Sequence, residues 1–179
     1  MANMYMKIGT HDGKGDATAK YAGDAGVSEG GWFAIRSFNW GAARSVGMDI
    51  GNGMNRDAGM VAMSEISVSK EMDGASENIL SRMYVPGEQG DEVQIIVTKP
   101  ARTGQGAEVY LQITLTNARI VNYSLSASDG ATPFENLALA YSKMAVKHWH
   151  EEEGGNLVAG GDVTYDLPTG VAESHAISG

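Results

Sequence analysis

Cysteine is absent from this sequence, proline occurs only four times among 179 residues, and aromatic residues make up 7%. Without cysteine there is no disulfide framework, and the four histidines have no thiolate beside them for a mixed metal set. No staple is needed, because a domain of about 150 residues buries roughly 68–70% of its unfolded surface. A thiol-free chain is also indifferent to redox compartment, which suits a protein made in the cytoplasm that later meets an oxidising exterior. Basic residues are scarce too: 13 against 22 acidic leaves a net charge of −9. That balance opposes a phosphate backbone, so nucleic acid is not an expected partner. No apolar run approaches the ~18 residues of a membrane span. The first ten residues hold Lys7 but neither an apolar h-region nor a small-residue cleavage site, so no membrane span and no secretory signal are expected. With little proline beside 24 glycines, the loops should be flexible and rich in positive-φ turns.

What is present is strand patterning. Val109, Leu111, Ile113 and Leu115 alternate with Tyr110, Gln112, Thr114 and Thr116, the signature of a half-buried strand. The apolar phase then moves to Ala118 and Ile120 and returns at Tyr123 and Leu125, so this strand, Glu108 to Ser126, must bulge or bend from one face of a barrel to the next. The run Glu135 to Trp149 does the same: Leu137, Leu139 and Tyr141 share a parity that Met144 and Val146 have left. Parity therefore shifts at Asn117 and between Tyr141 and Met144, and those are the expected corners. Shorter strands are expected over Tyr5–Ile8, Trp32–Arg44, Val61–Met72, Glu92–Thr98 and Asp162–Leu167. Asp73 reads as a cap for one helix, Ala75–Tyr84, with Ile79, Leu80 and Met83 on one face. The expected architecture is mainly β, a small barrel of two packed antiparallel sheets with one short lateral helix. It forms a single domain with an ordered core over 4–168 and a flexible tail over 169–179.

Candidate chemistry is thin. Gly26-Val27-Ser28-Glu29-Gly30 matches a G-x-S-x-G elbow, but no strand delivers Ser28 to the turn and no helix leaves it. Asp12 to Asp16 has the start of a calcium loop, yet Lys14 stands at a ligand position and no closing glutamate follows. His148, His150 and the acidic run Glu151–Glu153 lie at a strand end beside glycines, where solvated side chains collect. Gly51 and Gly53 open a G-x-G pattern that Arg56 interrupts. Asn122-Tyr123-Ser124 fits a glycosylation triplet within a strand. No catalytic residue, metal site or cofactor is expected, and the chain reads as a scaffold. The segment from Val46 to Gly59 is different: Met48, Ile50 and Met54 are apolar residues that a solvated loop has little reason to carry, so this loop should dock on a partner.

In order along the chain, Trp32-Phe33-Ala34-Ile35-Arg36-Ser37-Phe38-Asn39-Trp40-Gly41, then Glu65-Ile66-Ser67-Val68-Ser69-Lys70 with its Asp73-capped helix, the paired long strands, and Gly161-Asp162-Val163-Thr164-Tyr165-Asp166-Leu167 resemble the Hcp (hemolysin-coregulated protein) family. These are inner-tube subunits of the bacterial type VI secretion system. The resemblance implies a hexameric ring that stacks into an exported tube and whose lumen holds and stabilises small effectors. It also implies self-association, contact with tip and sheath components, and export through the type VI system without a signal peptide. On that basis Asn39, between Phe38 and Trp40, is the expected cargo-facing residue, and Met48, Ile50 and Met54 the ring-stacking contacts. Against it stands a monomeric β-sandwich or barrel that binds carbohydrate through Trp32, Trp40 and Trp149. After the first strand the chain departs from the family's Gly-Glu-Ser, reading Gly13-Lys14-Gly15-Asp16.

Overall fold

A computed structural model describes residues 3–9, 17, 31–46, 57–85, 87–101 and 106–175. The elements, in chain order, are β1 (Asn3–Ile8), β2 (Trp32–Ile35), β3 (Ser37–Asn39), β4 (Ala42–Val46), β5 (Asp57–Met63), β6 (Ile66–Glu71), α1 (Ser76–Tyr84), β7 (Asp91–Pro100), β8 (Ala107–Ser126), β9 (Phe134–Ala140), β10 (Lys143–Glu151), β11 (Leu157–Asp166) and β12 (Val171–Ser174). The first sheet runs β12-β11-β10-β8-β7-β1-β2, the second runs β3-β6-β9-β8, and β4 pairs with β5 alone. All of these pairings are antiparallel.

The two sheets share β8. Its first part pairs with β7 and β10, and beyond Ala118 it pairs with β9. The turn-over occurs where the apolar parity shifts. Asn117 has φ +53 and is the one non-glycine residue in the left-handed region among those described; its Oδ1 accepts from the Gly90 N–H at 2.7 Å. Asparagine tolerates this conformation better than most side-chain-bearing residues. Gly90 is needed here, since a Cβ on it would come within 2.5 Å of the Asn117 carbonyl carbon. A bulge between Ile120 and Asn122 accounts for the return of parity at Tyr123.

The run Glu135–Trp149 is two strands rather than one. It breaks at Tyr141 and Ser142, so that β9 belongs to the second sheet and β10 to the first. Trp32–Arg44 likewise breaks at Arg36 and at Trp40–Gly41, and Val61–Met72 breaks at Ser64–Glu65. Arg36 is a third corner: its N–H donates to Ser69 O at 2.7 Å, and β2 of the first sheet passes there into β3 of the second. Phe33 and Ile35 point into the core before the corner, Phe38 and Trp40 after it.

The core fills the space between the sheets. Met6, Ile66, Val93, Ile95, Ile113, Leu115, Leu137 and Leu139 are each buried to 2% exposure or less, and burying such a side chain contributes about 1.5–3 kcal/mol. A smaller cluster of Tyr5, Trp32, Ile96 and Val109 covers the other face of the first sheet, with Trp149 packed on it. Val109 leaves the face of Ile113 because the β7–β8 register slips between Val97 and Thr98. The segment read as a flexible tail contains a strand: β12 pairs with β11, and His175 bonds back to Asp162 through Nδ1 to Oδ1 at 2.6 Å. A four-residue edge strand lacks periodicity long enough to be read from sequence.

Candidate assembly surfaces

On the second sheet, residues alternate between core and solvent with period two. The inward set includes Phe38, Ile66, Val68, Leu137, Leu139 and Tyr123. The outward set lies in two rows that cross all four strands in register. One row is Ser37, Ser69, Asn136 and Ser124, and the other is Asn39, Ser67, Ala138 and Asn122. Ser37 and Ser69 share a hydroxyl hydrogen bond at 2.6 Å. None of the eight positions carries charge or an aromatic ring, in a chain of net charge −9. Charge lies at both ends of the face: the Arg36–Glu71 ion pair at one, where Glu71 opposes Phe134, and exposed Glu65, two residues before Ser67, at the other. Asn39 is therefore exposed at one edge of a flat, small-side-chain, neutral surface. Of these eight residues only Asn39 was expected at a functional surface, and that from the family resemblance. Alternations such as Asn122-Tyr123-Ser124 and Asn136-Leu137-Ala138 carry the signal, but only strand register brings them into one surface.

Behind this face a charged cluster fastens the helix. Lys70 and Glu135 oppose each other across β6 and β9, and both are 0% exposed. Lys70 Nζ lies 2.8 Å from Glu135 Oε2, 2.8 Å from Asp73 Oδ1 and 2.7 Å from the Glu71 carbonyl, and it sits over the Phe33 ring. The Tyr123 hydroxyl donates to Glu135 Oε1 at 2.8 Å. Burial first, then this hydrogen bond and the Glu135 charge, push the Tyr123 phenol up to about 12. Asp73 is not the cap expected for α1: the N-cap is Ala75, which receives no side-chain capping bond, and Asp73 instead shapes the turn before the helix, its Oδ1 accepting from the Ala75 N–H at 2.9 Å and its own N–H donating to Ser76 Oγ at 3.0 Å. The cluster thus joins both central strands of the second sheet to the start of α1.

The hairpin β4–β5 leaves the barrel at Gly41 and Ser64, whose backbones bond to each other. Met48, Ile50 and Met54, between its two strands, lie outside the described residues, as do Ser28, the Asp12–Asp16 segment and the Gly51–Gly53 pair. His148 and His150 are exposed on β10. Among the described residues, no three His, Asp or Glu side chains gather as a metal set.

A sequence profile for the family "Type VI secretion system effector, Hcp" matches residues 5–148. The chain belongs to the Hcp family. Solved structures share its fold. One titled as a type six secretion system protein is 20% identical, with TM-score 0.79 and coverage of 97% of this chain and 100% of that one. Hcp1 from Salmonella typhimurium is 17% identical, with TM-score 0.65 and coverage of 96% and 99%. The secreted protein Hcp3 from Pseudomonas aeruginosa is 20% identical, with TM-score 0.56 and coverage of 93% and 98%. No curated protein sequence matches.

As an Hcp protein the chain is a structural tube subunit of a type VI secretion system, a self-associating and secreted component. Among its described residues no helix is long and apolar enough to cross a membrane. The carbohydrate-module reading is not favoured, and the tryptophans give a physical reason. Trp32 is 5% exposed, and half-buried Trp149 and Trp40 pack on the Trp32 cluster and the barrel core, so all three are engaged in packing within the subunit.

Proposed function

We propose that this Hcp chain closes into six-membered rings that stack into the inner tube, with the outer face of the second sheet lining the lumen. Asn39 and its registered neighbours then contact small effectors carried inside. Two rows of small, uncharged side chains on an otherwise acidic protein support this reading. A passage for varied cargo gains from lacking fixed charge, because like-charge contacts cost enough to reject partners. Met48, Ile50 and Met54 supply the apolar contacts of the stacking loop, and tip and sheath components are the remaining partners. The chain is made in the bacterial cytoplasm and leaves through the tube it builds.

Since the native chain has no cysteine, an Asn39→Cys variant reports the location of this face directly. In assembled rings the thiol should react with a small maleimide and be shielded from a polymer-linked maleimide too large for the lumen. After unfolding it should react with both. Equal labelling of ring and unfolded chain by the bulky reagent would contradict the lumen assignment.

A further inference from the structure

The neutral face of the second sheet is electrically closed at one end and open at the other. At the closed end Arg36 Nε donates to Glu71 Oε1 at 3.1 Å and the two side chains form an ion pair, so a cation and an anion cancel within the subunit. At the open end Glu65 is exposed. It lies just ahead of β6 in phase with Ser67, which puts it on the same side of the sheet. Its backbone carbonyl accepts from Ser64 Oγ at 3.1 Å, but among the described residues no side chain bonds to its carboxylate.

The cations closest along the chain or in register are committed to other groups. Arg119 opposes Ala140 on β9, yet its guanidinium is held by the Gly87 and Glu88 carbonyls at 3.0 and 2.9 Å, where Glu88 adds a carboxylate of its own. Arg44, on β4, is also engaged. The open end therefore carries an uncompensated negative charge.

One exposed carboxylate does little in water, where salt screens it over about 8 Å. Repetition changes this. A six-fold axis places every copy of a residue at one height, whatever the tilt of the strands, so a ring brings six Glu65 carboxylates to one level of its inner wall. Low-dielectric walls focus such a field, and rings of acidic side chains are a means by which pores favour cations. The Arg36–Glu71 pair, repeated in the same way, adds no net charge. We propose that Glu65 forms an anionic belt beside the neutral rows, and that this belt receives the Lys- or Arg-bearing segments of an exported polypeptide. The neutral rows then tolerate cargo of either sign, while the belt decides which part of it is held at that level. This rests on the lumen reading above and adds a charge preference to one part of the wall.

Ser67→Cys, beside the belt, and Ser124→Cys, in the farther row, each supply a single thiol in a chain without cysteine, and both native residues are exposed. Each thiol is labelled with two small methanethiosulfonates, one carrying a quaternary ammonium that stands in for a basic side chain and one carrying a sulfonate. In assembled rings at low salt, Ser67→Cys should react roughly ten-fold faster with the cationic than with the anionic reagent, taken relative to the same chain unfolded. Ser124→Cys should show a weaker preference, and adding Glu65→Gln should bring Ser67→Cys down to that level. Glu65→Ser should act alike and serves if the glutamine variant assembles poorly. No preference at Ser67→Cys, or one that survives removal of the carboxylate, overturns the belt, and shielding of Asn39→Cys from the bulky maleimide then leaves the lumen reading standing. If that shielding is absent, the lumen reading fails and the belt fails with it.

Discussion

Lys70 Nζ and Glu135 Oε2 are 2.8 Å apart, directly opposed on adjacent strands, and neither side chain reaches solvent. Removing one partner leaves an uncompensated charge in the barrel, which costs about 3–5 kcal/mol, whereas replacing both with apolar residues of similar volume is often neutral. Lys70→Ala should therefore lower the urea midpoint sharply. Lys70→Met combined with Glu135→Leu should recover much of that loss, with Asp73 left to its bond from the Ala75 N–H. Equal destabilisation by the single and double changes would show that the pair does not act as a unit.

Tyr123 makes the same cluster sensitive to high pH. Its phenol is held at about 12, with burial the largest cause, against about 10 in an unfolded chain. The folded state therefore keeps a proton that the unfolded state gives up. The stability linked to Tyr123 is full below about pH 10 and is lost as pH rises from there through about 12. Tyr123→Phe should flatten this part of the stability profile. An unchanged alkaline slope, followed by denaturant melts at stepped pH, would remove Tyr123 from the account.

At the β8 corner, Asn117 combines φ +53 with a side-chain bond to the Gly90 N–H. A β-branched residue pays for that backbone conformation and also loses the bond, so Asn117→Val should destabilise by about 1–3 kcal/mol. Asn117→Gly should be milder, because it loses only the bond. Thermal melts that rank glycine below valine would mean that the corner is not set by backbone conformation.

The corners were legible in the sequence because each changes which parity is apolar. Asn117 and the step from Tyr141 to Met144 were found this way, while the Arg36 corner was hidden in a run where aromatics occupy both parities. Strand number was less legible. Breaks at Ser64–Glu65 and Tyr141–Ser142 span only two residues and carry no proline or glycine to mark them. The neutral face was invisible for another reason: its eight residues come from four strands, and only hydrogen-bond register aligns them. Lys70 and Glu135 did fall in phase with the apolar residues Ile66, Val68, Leu137 and Leu139, and a charged residue in core phase is a readable sign of a buried pair.

The stacking loop gives a prediction separable from stability. Replacing Met48, Ile50 and Met54 with serine should leave the melting profile of the barrel nearly unchanged and shorten or abolish stacked tubes, seen by negative-stain imaging. Tubes of native length from the triple variant would show that these residues do not carry stacking.

Assembly itself is the central claim, and size-exclusion chromatography with light scattering, followed by negative-stain imaging of the same fractions, tests it most directly. The account predicts a species of six chains that appears as rings with an open centre. A strictly monomeric species without rings across a wide concentration range would contradict it.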